Sequence, residues 1–232
     1  MNTPHRLPIE AEELIKTYLE LPLGLPPYGN TPYYNNRRAK IRGGLRARIG
    51  KGTPKDIIEE AKTEAFKEKI PLQSATNSEV RDFLNKHYLG VDCSGFVYHI
   101  LNAVRASVKK PPLQKIIIFP KTYNLLRFFL QRMRQVEITN VAVFAENTNS
   151  HTIPVDRAEP GDFIVLCGQK QHTSQDHIMI ITEVLTKESG EILLLYAHSL
   201  SWDTDMQHSH GVRIGSIELE NASIPLLKGI WT

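Results

Sequence analysis

Cys93 and two of the nine histidines are the residues of this 232-residue chain whose types and surroundings could do covalent chemistry. Cys93 lies in Gly90-Val91-Asp92-Cys93-Ser94-Gly95-Phe96-Val97, at the first turn of an expected helix whose buried face is Phe96, Val97, Ile100, Leu101 and Val104. Unpaired N–H groups and the positive end of the helix dipole favour thiolate over thiol there, which suits a sulfur nucleophile. Asp92 is placed to cap the helix, Gly95 leaves room beside the sulfur, and the first-turn N–H groups are candidate oxyanion donors. The competing reading of such a cysteine is a small buried core residue.

A nucleophilic thiol needs a base. His177 opens the apolar run HIMIITEVL and His198 closes ILLLYAHS, so each lies in an expected apolar strand and not in a polar loop. If the two runs form an antiparallel hairpin across Lys187-Glu188-Ser189-Gly190, the start of one strand and the end of the next come level, and the imidazoles become neighbours. One ring then takes the thiol proton and the other fixes its tautomer. Two satisfied strand-end histidines would give the same spacing.

Read in order, DCSGFV, the EPGDFIVL segment from Glu159 to Leu166, His177 at the head of an apolar strand and His198 in a YAHS strand end resemble the NlpC family of papain-like cysteine peptidases. The resemblance covers about residues 86 to 200. It implies a papain-like domain with Cys93 as nucleophile, His177 as general base and His198 as the polar residue orienting it. It implies hydrolysis of an amide bond, in many members within the stem peptides of bacterial cell wall, commonly between D-glutamate and a diamino acid. It also implies substrate contacts: Asp92 and Ser94 bind a free amine in some members, and an upstream tyrosine lines the site. Tyr28 in PPYG is the first candidate for that tyrosine, with Tyr33 and Tyr34 as alternatives. The 84 positions from Cys93 to His177 and the 21 from His177 to His198 are longer than is usual in the family.

The elements that must position these residues follow from periodicity and punctuation. Thr53-Pro54-Lys55-Asp56 is a helix start, with an apolar stripe at Ile57, Ile58, Ala61 and Ala65. A short helix is expected from Asn77 or Ser78 toward Lys86, and another from Thr122 carrying Leu125, Leu126, Phe129 and Met133. Residues 137–145, 162–167, 177–185, 191–197 and 211–217 read as strands. Helices followed by consecutive strands with short links predict an α+β fold with an antiparallel sheet.

The net charge of +3 is unevenly spread. Eight basic residues and no acidic one lie between Arg37 and Lys55 (Arg37, Arg38, Lys40, Arg42, Arg46, Arg48, Lys51 and Lys55), so the rest of the chain carries 3 − 8 = −5. With the Pro-, Gly- and Asn-rich stretch before it, this makes residues 1–52 an expected irregular basic arm, and 53–232 the catalytic domain. The arm is read as solvated. It lacks the aromatic interleaving of a nucleic-acid module, so nucleic acid is not the expected partner.

Two cysteines in a chain of this length are no disulfide framework, and Cys167 reads as core filler. His208 and His210, near Asp203 and Asp205, have metal-ligand types but sit in a polar loop, so no metal is expected there. The proposed chemistry needs no metal or organic cofactor. No run approaches the roughly 20 apolar residues of a membrane span, and the first residues do not read as a secretory signal. A cytoplasmic location is expected by default, with a wall-associated one by another export route as the alternative. Two rivals to a wall peptidase remain: a papain-like amidase or acyltransferase on a non-wall substrate, and an inert module that binds an anionic partner through the basic arm.

Overall fold

The computed structural model describes residues 5–35, 45–119, 133–166, 176–201 and 210–232. The helices are α1 Ile9–Leu19, α2 Pro54–Glu68, α3 Asn77–Lys86, α4 Cys93–Ser107 and two short ones, α5 Gln135–Ile138 and α6 Val141–Ala145. The strands are β1 His5–Arg6, β2 Phe163–Leu166, β3 His177–Thr186, β4 Ile192–Leu200, β5 Gly211–Leu219 and β6 Ile230–Trp231.

The helix starts are set by local chemistry. Thr53 accepts a hydrogen bond from the Asp56 N–H while the Asp56 carboxylate accepts from the Thr53 N–H, with Pro54 opening α2. Thr76 and Glu79 repeat the device for α3. Each reciprocal pair satisfies two N–H groups that would otherwise lack a partner. The expected stripe of α4 is in place: Phe96, Val97 and Ile100 are fully buried, and Leu101 and Val104 pack against the same core.

All six strands form one antiparallel sheet. β3, β4 and β5 make a meander, β6 extends it beyond β5, and β1 and β2 share the other edge of β3. Alternation along the strands divides the core into two. Ile178, Ile180, Ala197 and Val212 pack with the helices. Met179, Ile181, Leu194, Tyr196 and Ile217 form a second cluster, against which Trp231 and Leu226 pack. The chain is thus α+β with an antiparallel sheet, as its pattern predicts.

Two expectations are corrected. Residues 137–145 form α5 and α6 instead of a strand: the Asn140 side chain accepts from the Val143 N–H and starts a helical turn, and Val141 and Phe144, three apart, are buried together. Capping and burial at helical spacing override the β-branched composition.

Nor are residues 1–52 an irregular arm throughout. Ala11, Ile15 and Tyr18 form the buried stripe of α1, which packs on α4, and the Tyr18 hydroxyl donates to the Gly52 carbonyl at 2.9 Å. The Arg48 guanidinium pairs with Glu60 at 2.7 Å and with Glu64, and Lys51 is buried. Of the described part of the basic block, Arg48 and Lys51 are thus paired within the domain, whereas Arg46 and Lys55 stay exposed to solvent. Residues 20–35 have no helix and only an isolated bridge at Tyr33, as expected of an irregular connection.

Arg37, Arg38, Lys40, Arg42, Leu125, Leu126, Phe129, Cys167, Asp203, Asp205 and His208 lie outside the described residues, and Met133 is exposed. Among the described residues, no helix is long and apolar enough to cross a membrane.

Candidate active site

Three stretches of chain hold the turn that carries Cys93. Val91 bridges Tyr33 on one side and Lys51 on the other. The Gly90 N–H donates to the Ala47 carbonyl, Val91 N–H to Pro32 and Asp92 N–H to Gly50, at 2.8 to 3.2 Å. From β4 the Ser199 hydroxyl donates to the Val91 carbonyl at 2.7 Å. The polar groups of a buried turn are thereby satisfied, and Cys93 is fixed at the first position of a helix 15 residues long.

Asp92 caps that helix, as its place before Cys93 suggests: Oδ1 accepts from the Gly95 N–H at 2.6 Å. The same oxygen accepts from the Ser94 hydroxyl at 3.0 Å and from the Lys51 ammonium at 2.8 Å. Lys51 Nζ also donates to Ser94 Oγ at 2.6 Å and to the Thr139 carbonyl at 2.9 Å. Lys51 is 4% exposed, so its ammonium is buried beside the Cys93 turn, on a full set of acceptors. His99 Nε2 lies 2.9 Å from the Lys51 carbonyl; since a carbonyl only accepts, the ring donates.

The space beside Gly95 has an occupant. A β-carbon there would come within 2.5 Å of the Gly50 carbonyl oxygen and 3.1 Å of the Lys51 stem, so this glycine makes room for the Gly50–Lys51 backbone. Of the first-turn amides, Gly95 N–H is committed to Asp92 and the Ser94 N–H faces the sulfur. The Cys93 N–H, at the first position of the helix, has no carbonyl four residues back within it.

His177 Nε2 and His198 Nδ1 are 2.9 Å apart, with ring centroids 5.0 Å apart and planes inclined at 67°. The hairpin produces this pair with the help of an irregularity. On the turn side Val184 faces Leu194; past a bulge between Ile181 and Glu183, Ile181 faces Tyr196 and Ile180 faces Ala197. Carried on to the strand ends, that register puts His198 opposite Met179, on the face His177 shares. A regular ladder would put His198 opposite Ile180 and the rings on opposite faces, because a one-residue slip inverts the face.

The electrostatics favour a neutral thiol and two neutral imidazoles. Burial pushes the Cys93 thiol up to about 12, with the Asp92 carboxylate adding to the rise; Lys51 and the Ile178 and Ser94 N–H groups oppose it. Burial lowers His177 to about 4. His198 falls to about 3, through burial first and then the proximity of His177 and the Arg213 guanidinium. Among the described residues no hydrogen bond joins the thiol to the His177 ring: the sulfur meets β3 at the Ile178 N–H, one residue along. In the tautomer in which His177 Nε2 donates to His198 Nδ1, the Nδ1 of His177 is unprotonated.

A pocket of about 280 Å³, lined by Val141, Ala142, Ala145, Glu146, Asn147 and Asp176, opens next to His177 in sequence. Of the tyrosines, Tyr33 and Tyr34 lie against the Cys93 turn: Tyr33 bridges Val91, the Tyr34 N–H donates to the Val91 carbonyl at 3.4 Å, and the Tyr34 ring sits 5.5 Å from that of Tyr88. Tyr28 is exposed, in the turn whose Gly29 packs against Asn77 at the start of α3.

Sequence reasoning did not single out Lys51, Ser199 or Thr139. Lys51 was indistinguishable from seven other basic residues, and its one local signal is that it lies two residues before the cap of α2. Comparisons with protein-family models, with curated proteins and with solved structures gave no match.

Proposed function

We propose that the chain is a cysteine amidase or peptidase of NlpC type, acting through Cys93, His177 and His198. The observation that carries the reading is the 2.9 Å His177–His198 pair at the end of a hairpin whose next residue, Ile178, presents its N–H to a sulfur at the head of a buried helix.

In this reading His177 carries its proton on Nε2 and donates it to His198 Nδ1, which keeps Nδ1 free as base. The substrate carbonyl enters over Cys93. As the C–S bond forms, the thiol proton passes to His177 Nδ1 and the carbonyl oxygen takes up the electron pair, facing the Cys93 N–H. The C–N bond then breaks, its nitrogen receiving the proton from His177, and an acyl thioester remains. Water, losing a proton to the same ring, attacks the thioester; the acid leaves and the proton returns to the sulfur. Because thiol and imidazole both rest neutral, proton transfer accompanies C–S bond formation instead of preceding it. Cell-wall stem peptides are the substrate class the resemblance favours.

The test compares Cys93→Ala with wild type on muropeptides, on protein amides and on lipid amides, alongside labelling by a thiol-directed electrophile. Loss of turnover and of labelling, with an unchanged circular dichroism spectrum, is expected. Equal turnover by both proteins would sink the proposal.

A further inference from the structure

Every N–H of the Lys51 ammonium is directed at an acceptor next to the nucleophile: Asp92 Oδ1, Ser94 Oγ and the Thr139 carbonyl. All four residues are buried, and Asp92 and Ser94 flank Cys93 on either side. A carboxylate, a hydroxyl and a carbonyl converging on a space of ammonium size make a site for a primary ammonium ion, and the chain fills it with its own. The stem of the filling residue is held as firmly as its head: Lys51 is bridged to Val91, its N–H donates to the Arg46 carbonyl, and its Cδ lies against Gly95.

We propose that Lys51 is the resident occupant of a cation subsite beside Cys93 and that it determines specificity: acyl groups are taken with their amine blocked or absent, because the acceptors that would bind a free ammonium are used. This rests on the amide-hydrolase reading, and it narrows the substrate to N-acylated or amine-free carbonyl compounds. An acyl group on Cys93 brings its own substituents beside the two flanking residues, so an ammonium there would compete with Lys51 for one set of oxygens and meet a like charge. Lys51 is a positioning residue: it touches Asp92 and Ser94, the residues on either side of the thiol.

The test has two arms. In the first, Lys51→Ala removes a propylammonium-sized group, and n-propylammonium is titrated into that variant and into wild type, with tetramethylammonium at equal ionic strength as the control that cannot donate. A saturable rise in Tm of roughly 2 °C or more in the variant alone, with n-propylammonium alone, is expected. No rise in a folded variant overturns the subsite. In the second arm, which also serves if the variant does not fold, wild-type Cys93 is labelled by a peptidyl electrophile bearing a free amine and by its N-acetyl form. The N-acetyl form is expected to react at least as fast, and the preference is expected to turn toward the free amine in Lys51→Ala. A tenfold preference of wild type for the free amine overturns the assignment. If wild type hydrolyses no amide and neither electrophile reacts, the hydrolase reading has failed, and the propylammonium titration still decides whether the subsite exists.

Discussion

Asp92 performs two tasks with one oxygen, as helix cap and as counter-ion to a buried ammonium. The two tasks have different sizes. Loss of a cap costs about 1 kcal/mol, whereas stranding a buried charge costs about 3–5 kcal/mol. Asp92→Ala is therefore expected to destabilise the protein by several kcal/mol, and most of that loss is expected to vanish in Asp92→Ala/Lys51→Met, where no charge is left unpaired. Urea denaturation of the two single variants and the double one measures this. Additive losses would mean that the pair is not coupled. The histidines make a similar point about single atoms. His198 matters for which nitrogen of His177 is free, so His198→Ala is expected to reduce turnover while leaving Cys93 available for labelling.

The element that places Cys93 is α4, and its entry is set by a backbone approach that only glycine permits. Gly95→Ala puts a β-carbon within 2.5 Å of the Gly50 carbonyl oxygen, a backbone atom with no side-chain torsion to absorb the clash. The expected outcome is a loss of about 1–3 kcal/mol and slower electrophile labelling of Cys93, as the first turn shifts away from Ile178. Wild-type labelling in a folded Gly95→Ala variant would show that the turn tolerates the shift. On the opposite side of the site, the hairpin depends on the bulge at Ile181–Glu183, which absorbs one residue of β3 and so brings two imidazoles to one face.

At the scale of the whole molecule, the depressed imidazoles tie stability to pH. His177 has a folded value of about 4 against an ordinary 6.5, and His198 about 3. A group whose folded value is lowered binds fewer protons in the native state, so its contribution is fully present above the unfolded value and is lost as pH falls toward the folded one. Stability is therefore expected to fall between pH 6.5 and 4, by on the order of 3 kcal/mol from His177 alone at about 1.4 kcal/mol per pH unit. Replacing both rings in His177→Asn/His198→Asn removes the titrating groups and should flatten that part of the profile, read as urea midpoints from pH 7 to pH 4. An unchanged slope in the double variant would assign the acid sensitivity to other groups.

The α+β class, the caps at Thr53 and Asp92, the buried face of α4 and the nearness of the strand ends that carry His177 and His198 were legible in the residues, because each depends on contacts within one element or across one tight hairpin. What failed to read were features decided at a distance. The 137–145 run has strand composition but is turned into helix by Asn140 and by packing. Ala11, Ile15 and Tyr18 recur at helical spacing, but only the packing of α1 on α4 joins that segment to the core. Lys51 lies 41 positions from Asp92 in the chain, and nothing local marks it among its basic neighbours. The residue types determined which chemistry was available here. Tertiary structure decided its setting: a buried ammonium occupying the acceptors beside the thiol, and a bulge that puts both rings on one face, since long-range pairing and register are properties of the closed fold and not of any segment.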